Sequence, residues 1–303
     1  MQIRTANMRL SATSPIARIL VAAALSLTGV VVAQEPPLPD PDAFLREVRA
    51  KLRTDSSLQS SYIYTETRRE QKLDDRGRVT QESVKVYESY PGLPGEERWE
   101  RLLSENGRPR PAAELDKDLR DRQRKAEDLA RRLMEQPEKT QAKQPREYNE
   151  QRRELDSILD DMMVVYDIRM ERREPVDGRD TIVISLTPRP NSKPRTREGK
   201  QMRAFNLRAW VSESDRELVR LDAEAIDTLN MGFGLLARLH KGSKLSFMRT
   251  KVNDEVWLPS RVSYAGSARV GLVAVLRRSG VSEFSGYRKF AVDTSTTYKP
   301  TVP

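Results

Sequence analysis

The sequence predicts a mainly β (α+β) protein built on a curved antiparallel sheet, and three patterns carry this prediction. Residues alternate between a mainly apolar and a mainly polar face in two neighbouring stretches, 205–211 and 218–226, which are separated by a short turn. Similar stretches follow one another at hairpin spacing, with Asp177-Gly178 as a strong turn signal. A charged helical insertion, 111–163, interrupts them. A meander of this many strands favours a sheet that curves over a flat one.

Residues 1–33 are predicted to be a secretory signal peptide that is cleaved after Ala33. The first 18 residues contain three arginines and no acid, 19–32 is apolar, and Val31-Val32-Ala33 suits cleavage. The alternative is an uncleaved anchor in the inner membrane, because the apolar run approaches the lower limit of about 17 residues for a span. Two hydroxyl residues and a glycine interrupt the run, so cleavage and export to the periplasm are favoured.

The rest of the chain is predicted to be a short tether and one domain. Residues 34–40 are rich in proline, and 41–303 form a single domain that contains the insertion 111–163. The formal charge of +9 falls to +6 when the three arginines of the signal are removed. A moderately basic protein suits acidic surfaces such as phospholipid headgroups. Because the chain has no cysteine, disulfides and thiolate chemistry are excluded.

The elements follow from the local patterns in chain order. Asp40-Pro41 begins an amphipathic helix that ends near residue 54, with Phe44, Val48 and Leu52 on one face. The remaining strands are recognised by alternation between turn residues. We expect strands at 61–72, 79–87, 97–103, 164–176, 181–186, 205–211, 218–226, 244–251, 256–264, 269–276 and 281–292.

The insertion 111–163 has two interpretations. Its two helices, joined near 136–145, each carry one narrow apolar stripe on an otherwise charged surface. They form either a solvated hairpin at one end of the sheet or a lid over a cavity. The solvated hairpin is slightly favoured, because a charge-rich helix face is usually in contact with water.

Catalytic and metal-binding patterns are scarce. The single histidine, His240, lies at a turn beside cations and is interpreted as a surface residue. The sequence contains no phosphate-loop, dinucleotide-binding, zinc-binding or serine-hydrolase motif. Asp222 and Glu224 share a strand face, as a carboxylate pair of a hydrolase would, but Arg220 lies on the same face and charges are ordinary there. We therefore expect no enzyme activity, no cofactor and no metal.

The basic residues do not indicate nucleic-acid binding, because they are scattered among nearly as many acids. The loop 189–200 is the one dense basic patch in the sequence. It is interpreted either as a solvated loop, which is favoured, or as a site that contacts phosphate headgroups or a partner.

One face of the predicted sheet is apolar enough to form a pocket as well as a core. In the hairpin 205–226 the alternation assigns seven residues to this face, and they are the candidate wall of a ligand cavity. These residues are Phe205, Leu207, Ala209, Val211, Val219, Leu221 and Ala223.

Four short motifs, taken in order, resemble the outer-membrane lipoprotein-sorting, or lipoprotein-carrier-like, proteins of Gram-negative bacteria. They are Tyr62-Ile63-Tyr64, Ala209-Trp210-Val211 with its turn into Leu218-Val219-Arg220-Leu221, Val256-Trp257-Leu258-Pro259-Ser260-Arg261, and Gly286-Tyr287-Arg288-Lys289-Phe290. The resemblance implies an unclosed β-barrel covered by helices, whose apolar cavity holds acyl chains. The large insertion 111–163 departs from a minimal carrier of this family.

Two functions from different classes remain open at this point. The first is a periplasmic carrier that binds a lipid or lipoprotein acyl chain for sorting to the outer membrane. The second is an envelope-stress sensor or assembly factor that binds a protein partner, since relatives of this fold also act in that way. A membrane surface or envelope protein is the further partner that both functions suggest.

Overall fold

The structure is a computed structural model that describes residues 36–52, 61–93, 98–135, 144–231, 237–270 and 274–290. Every helix and strand below lies in the compact unit Leu38–Pro303. The helices are α1 (Pro41–Leu52), α2 (Ala112–Glu135), α3 (Gln144–Val165) and α4 (Arg197–Met202). The strands are β1 (Tyr62–Leu73), β2 (Val79–Tyr90), β3 (Trp99–Glu105), β4 (Arg108–Pro109), β5 (Tyr166–Val176), β6 (Arg179–Pro188), β7 (Phe205–Ser212), β8 (Leu218–Ala225), β9 (Leu229–Met231), β10 (Ala237–Leu239), β11 (Lys244–Val252), β12 (Val256–Val270) and β13 (Ala274–Lys289).

The strands form one antiparallel sheet. Its order is β4-β3-β2-β1-β13-β12-β11-β8-β7-β6-β5, and the short strands β9 and β10 are attached to β12. The terminal strands β4 and β5 are not paired with each other among the described residues, so the sheet is open. The predicted fold class, a mainly β protein with an open antiparallel sheet and a few helices, is confirmed.

Helix α1 begins as predicted because Asp40 caps it. The side chain of Asp40 accepts a hydrogen bond from the backbone N–H of Ala43 at 2.8 Å, and Pro41 occupies the first turn. Phe44 and Val48 are buried on one side of the helix. They pack on the sheet and contribute to its largest core.

The insertion consists of two helices that behave differently. Helix α2 is largely exposed and contacts strand β3, where the guanidinium of Arg122 lies 5.5 Å from the ring centre of Trp99. The second half of α3 packs on the sheet and buries Leu159, Asp161 and Val165. Of the predicted link at 136–145, residues 136–143 lie outside the described residues, and α3 begins at Gln144.

Strands β12 and β13 correct the prediction of three short strands at 256–264, 269–276 and 281–292. Gly266 and Gly280, which fall between the predicted strands, lie within continuous strands. A Cβ at Gly266 would lie 2.5 Å from Ser243 Oγ, and one at Gly280 would lie 2.5 Å from the Tyr264 ring. Both glycines are therefore required by close packing, which a single sequence does not distinguish from a turn.

Two of the three cores formed by the described residues lie on opposite faces of the sheet. Core 1 packs α1 and the end of α3 against β5–β8, and we call this side the helix face. Its buried members are Phe44, Val48, Val165, Tyr166, Ile182, Ile184, Leu186, Ala209 and Val211. Core 2 lies on the other side, which we call the inner face, and it contains Val176, Val183, Trp210, Val219 and Trp257.

The sheet curves around core 2. Strands β6 and β12 are four positions apart, which is about 19 Å in a flat sheet. Nevertheless the guanidinium of Arg179, at the start of β6, lies 5.0 Å from the ring centre of Trp257 in β12. The inner face is therefore concave at this end of the sheet.

Candidate functional site: an apolar band and a polar trough

The hairpin β7–β8 has the predicted alternation but contains a bulge. The pairs Leu207↔Ala223 and Ala209↔Leu221 are in register, and the register then shifts between Trp210 and Val211. Val211 consequently pairs with Leu218, and Val219 joins Trp210 in core 2. The prediction that Val219 shares a face with the other six residues is corrected, because a bulge inserts one residue and reverses the side-chain direction.

The seven predicted wall residues have different environments. Ala209 and Val211 are buried in core 1, and Leu207 and Leu221 are partly buried against it. Phe205 is half-buried opposite Ala225, and Ala223 is half-buried opposite Leu207. Their role in ligand binding remains a prediction.

Two rows of apolar residues continue from core 1 across the helix face. The register joins Leu207, Ala223, Leu245 and Tyr264 in one row. It joins Ala209, Leu221, Phe247 and Val262 in the next. Together these eight residues form what we call the apolar band. One end of the band lies in the helix-covered core, and its residues become more exposed towards β12.

The uncovered end of the band is exposed to water. Leu245 and Tyr264 are cross-strand neighbours, and they are 42% and 38% exposed. The Tyr264 ring lies over Gly280, so the ring lies along the surface of the sheet. Partial burial raises the pKa of the Tyr264 hydroxyl, and the nearby carboxylate of Glu70 raises it further. This hydroxyl is therefore neutral at physiological pH and can lie against apolar groups.

The sequence contains a signal for the four band residues that the prediction missed. Leu245 and Phe247 alternate in one predicted strand, and Val262 and Tyr264 alternate in the next. The pattern was sufficient to identify the strands. It could not assign their faces, because the face depends on which strand pairs with β8.

A cavity of about 720 Å³ crosses β6, β7, β8, β11, β12 and β13. On each of these strands three consecutive residues line it, such as Asn206, Leu207 and Arg208 on β7. The middle residue of each triplet belongs to the helix face and the outer two belong to the inner face, because side chains alternate. The lining does not extend to Leu221 or Phe247, the next residues of the helix face. We conclude that the cavity opens on the concave inner face, with the middle residues as its floor.

This cavity, which we call the polar trough, is therefore not the apolar pocket that the sequence predicts. The outer residues of the triplets are mostly charged or carry hydroxyl groups, so the walls are hydrophilic. Of the seven predicted residues, Leu207 and Ala223 are in the lining, as floor residues. The side chains that form the walls include Arg208, Asp222, Glu224, Lys244, Ser246, Ser263 and Ser279.

The carboxylate pair considered from the sequence lies in this trough. Asp222 accepts hydrogen bonds from Arg220 Nε at 3.0 Å and from Ser246 Oγ at 2.7 Å. Arg220 in turn lies 4.4 Å from the ring centre of Trp210. Asp222 is thus held in a structural network beside core 2. His240 lies at the turn before β11, where its Nδ1 is 3.1 Å from Ser267 Oγ, and it is not in the lining of the trough.

An aromatic and charged cluster borders the apolar band on β1 and β13. The rings of Tyr64 and Phe284 meet edge to face with centroids 5.5 Å apart, and Tyr64 also contacts Tyr287. Glu66 is buried nearby and accepts two hydrogen bonds from the Arg68 guanidinium, at 2.9 and 2.8 Å. The helix face is therefore polar beyond the band.

Among the described residues, no helix is long and apolar enough to cross a membrane. No cluster of carboxylate or imidazole groups in these same ranges could hold a metal ion.

Comparison with known proteins gives similarities of structure. No protein-family model matches the sequence, and no curated protein does. Among solved structures, an outer membrane lipoprotein-sorting protein domain from Vibrio parahaemolyticus has a TM-score of 0.31 and 8% identity, over 84% of this chain and 93% of that one. A LolA superfamily protein from Nitrosomonas europaea has a TM-score of 0.28 and 11% identity, over 86% and 99%.

A third similar structure is the MucA/MucB complex of Pseudomonas aeruginosa, in which the matched chain has a TM-score of 0.22 and 10% identity, over 82% of this chain and 99% of that one. The first structure carries the name of the family that the sequence motifs resemble. The open antiparallel sheet is established by the strand pairing of this chain.

Proposed function

We propose that this protein is an exported, non-enzymatic binding protein of the periplasm that shields a lipid or lipoprotein acyl chain against the apolar band. The observation that carries the proposal is the exposure of Leu245 and Tyr264 as cross-strand neighbours at the open end of a continuous apolar surface. Contiguous exposed apolar surface on a soluble protein usually marks a binding site. The resemblance to lipoprotein-sorting proteins supports an acyl chain as the ligand.

The dimensions of the band suit one acyl chain. The row of the band that contains Ala223, Leu245 and Tyr264 continues to Gly280 on β13, the cross-strand partner of Tyr264. From β8 to β13 this row crosses three strand spacings, or about 14 Å. One leaflet of a bilayer core, which is one acyl chain deep, is about 15 Å thick. Each methylene removed from water contributes about 0.8 kcal/mol, so partial cover of a chain is sufficient for reversible binding.

Lipid extracted from the purified protein and identified by mass spectrometry provides the first test. Binding of a fluorescent long-chain fatty acid then locates the site. Leu245→Glu places a charge on the open end of the band and should weaken binding by at least about tenfold, since a charge next to the chain must be desolvated.

Two variants control this experiment. Val79→Glu changes an equally exposed apolar residue on β2, away from the band, and should leave binding unchanged. Ser263→Phe fills the polar trough on the other face and should also leave fatty-acid binding unchanged. Equal binding by wild type and Leu245→Glu would refute the proposal, and so would loss of binding in Ser263→Phe alone, because the chain would then lie in the trough.

The exposure of α2 favours a second candidate, a sensor or assembly factor that captures a protein partner through its charged helices. Helix α2 is largely exposed and contacts the sheet at β3. Deletion of residues 111–152, which keeps the buried second half of α3, separates the two functions. Loss of a partner with fatty-acid binding intact supports the second, whereas loss of fatty-acid binding alone supports a lid within the first.

A further inference from the structure

The segment 189–203 carries a concentrated positive charge that is exposed to solvent. All six of its basic side chains are exposed, and its one acid, Glu198, is half-buried. Within the described part of the chain, none of the six forms an ion pair. The cations are Arg189, Lys193, Arg195, Arg197, Lys200 and Arg203.

The segment is held in place by buried contacts. Asp161, at 2% exposure, accepts hydrogen bonds from the N–H groups of Arg195 at 2.9 Å and Thr196 at 2.6 Å, and from Thr196 Oγ at 2.6 Å. Further along, the Tyr166 hydroxyl donates to the carbonyl of Met202 at 2.8 Å. These bonds use the backbone and the Thr196 hydroxyl, which leaves the basic side chains directed to solvent.

Gly199 completes the attachment. A Cβ at this position would lie 2.4 Å from Asp161 Oδ2, so the chain passes directly over the buried carboxylate. Burial by itself would raise the pKa of Asp161, but the hydrogen bonds from Thr196 and from the backbone of Arg195 outweigh burial and lower it. The segment is therefore a preformed surface whose side chains need no ordering of the backbone on binding.

Two exposed apolar side chains lie beside these cations. Met163 and Val164, at the end of α3, are 44% and 43% exposed. Arg189 lies against them, since its N–H donates to the carbonyl of Val165 at 2.7 Å and its Nη1 donates to that of Met163 at 3.2 Å. The nearby acids are engaged, because Asp160 pairs with Arg49 and Asp161 is buried.

We propose that the segment 189–203, together with Met163 and Val164, docks the protein on the surface of a membrane that contains anionic phospholipids. Clustered cations are attracted to the negative surface potential of such a membrane, and adjacent apolar side chains can enter the interfacial region. The proposal is independent of the acyl site, since the two surfaces share no residue.

Charge and side-chain type favour a lipid surface as the occupant. Proteins that bind single-stranded nucleic acid usually stack its bases on aromatic side chains between the cations, and the segment 189–203 contains no aromatic residue. The cations lie along one segment beside apolar residues, which is the combination that binds at a headgroup boundary. A protein partner with an acidic surface is the competing occupant, and the experiment distinguishes it.

Co-sedimentation with vesicles tests the proposal on the full chain. One set of vesicles contains phosphatidylcholine and phosphatidylglycerol at roughly two to one, and the other contains phosphatidylcholine alone. We expect binding to the anionic vesicles that weakens as salt is added. The variant Lys193→Gln/Arg195→Gln/Arg197→Gln/Lys200→Gln should lose affinity by about fivefold per cation at low ionic strength, or more than about a hundredfold in total.

The matched control removes four exposed cations from the turn before β2, from β4 and from α2. Arg76→Gln/Arg108→Gln/Lys117→Gln/Arg120→Gln has the same net charge as the first variant and should bind within about threefold of wild type, because its cations lie outside the docking surface. Met163→Ser/Val164→Ser should bind normally at low salt but lose the binding that persists at high salt. Circular dichroism confirms that each variant is folded.

Three outcomes would overturn the proposal. The first is equal loss in the two quadruple variants, which would show that net charge alone drives binding. The second is an unchanged affinity for anionic vesicles when Lys193, Arg195, Arg197 and Lys200 are all replaced by Gln. The third is equal binding of the wild type to the two kinds of vesicle, which would assign the cations to an acidic protein partner. Because all variants keep the same N-terminal 33 residues, any contribution of that segment is common to them.

Discussion

Two halves of the sheet have the same alternation of residues but are stabilised differently. In the covered half, strands β5–β8, the helix face lies beneath α1 and α3, and Phe44 and Ile182 are at most 1% exposed. In the open half, strands β11–β13 and β1, the same face carries the exposed pair Leu245 and Tyr264 and then the buried carboxylate of Glu66, which pairs with Arg68. Alternation therefore defines a face of the sheet, whereas the helices decide whether that face becomes a dry core or a surface available to a ligand.

The largest expected effect on stability comes from weakening the contact between α1 and the covered half of the sheet. Phe44→Ala should lower the free energy of unfolding by about 3–5 kcal/mol, because a fully buried ring leaves a cavity between α1 and the sheet. Unfolding in urea measures this change. Arg46→Ala on the exposed side of the same helix is the control and should change stability by less than about 0.5 kcal/mol. A small effect of Phe44→Ala would mean that α1 does not stabilise the sheet.

A smaller effect is expected at the polar anchor of the covered half. Asp161→Asn should lower stability by about 2 kcal/mol, because the hydrogen bonds from Arg195 and Thr196 lose a charged acceptor. The pKa of Asp161 is lowered by folding, so its contribution is fully present above the ordinary carboxyl pKa of about 3.9 and is lost as pH falls through the folded-state pKa.

Unfolding measured as a function of pH checks this sign. The difference between wild type and Asp161→Asn should be constant from neutral pH to about pH 5 and should shrink below about pH 4. A difference that grows on acidification would contradict the assignment. Asp160→Asn, which changes an exposed neighbour paired with Arg49, should show little difference at any pH.

The open half should tolerate a similar change better. Glu66→Gln should cost about 1 kcal/mol, because Arg68 is one-third exposed and keeps Glu100 and water as alternative partners. Glu82→Gln in the exposed pair with Arg69 is the comparison and should have almost no effect. A loss at Glu66 as large as that at Phe44 would show that the open half depends on its ion pairs as much as the covered half depends on its core.

The smallest expected effect on stability is at the exposed end of the band. Leu245→Ala should change the free energy of unfolding by less than about 1 kcal/mol, because the side chain is already 42% exposed. The same variant should weaken fatty-acid binding under the proposed function. A large loss of stability would instead identify Leu245 as a core residue.

Particular residues show how far the sequence could lead. Asp40 and Pro41 predicted the start of α1, and Asp177-Gly178 predicted a hairpin in which both residues adopt positive φ. The role of Gly280 could not be predicted, because the Tyr264 ring that requires it comes from another strand. The short helix α4 was also missed, since its cap, Thr196, is itself held by Asp161 from α3.

The sequence by itself determined the alternating faces, most strand positions, the charged insertion and the dense basic segment, because these depend on neighbours within a few residues. The tertiary structure decided which strands meet. It places β1 beside β13, moves Val219 to the inner face through a bulge, and leaves Leu245 and Tyr264 uncovered. Strand pairing and packing against helices bring together residues that are far apart in the chain. A local sequence pattern contains no information about which distant residues come into contact.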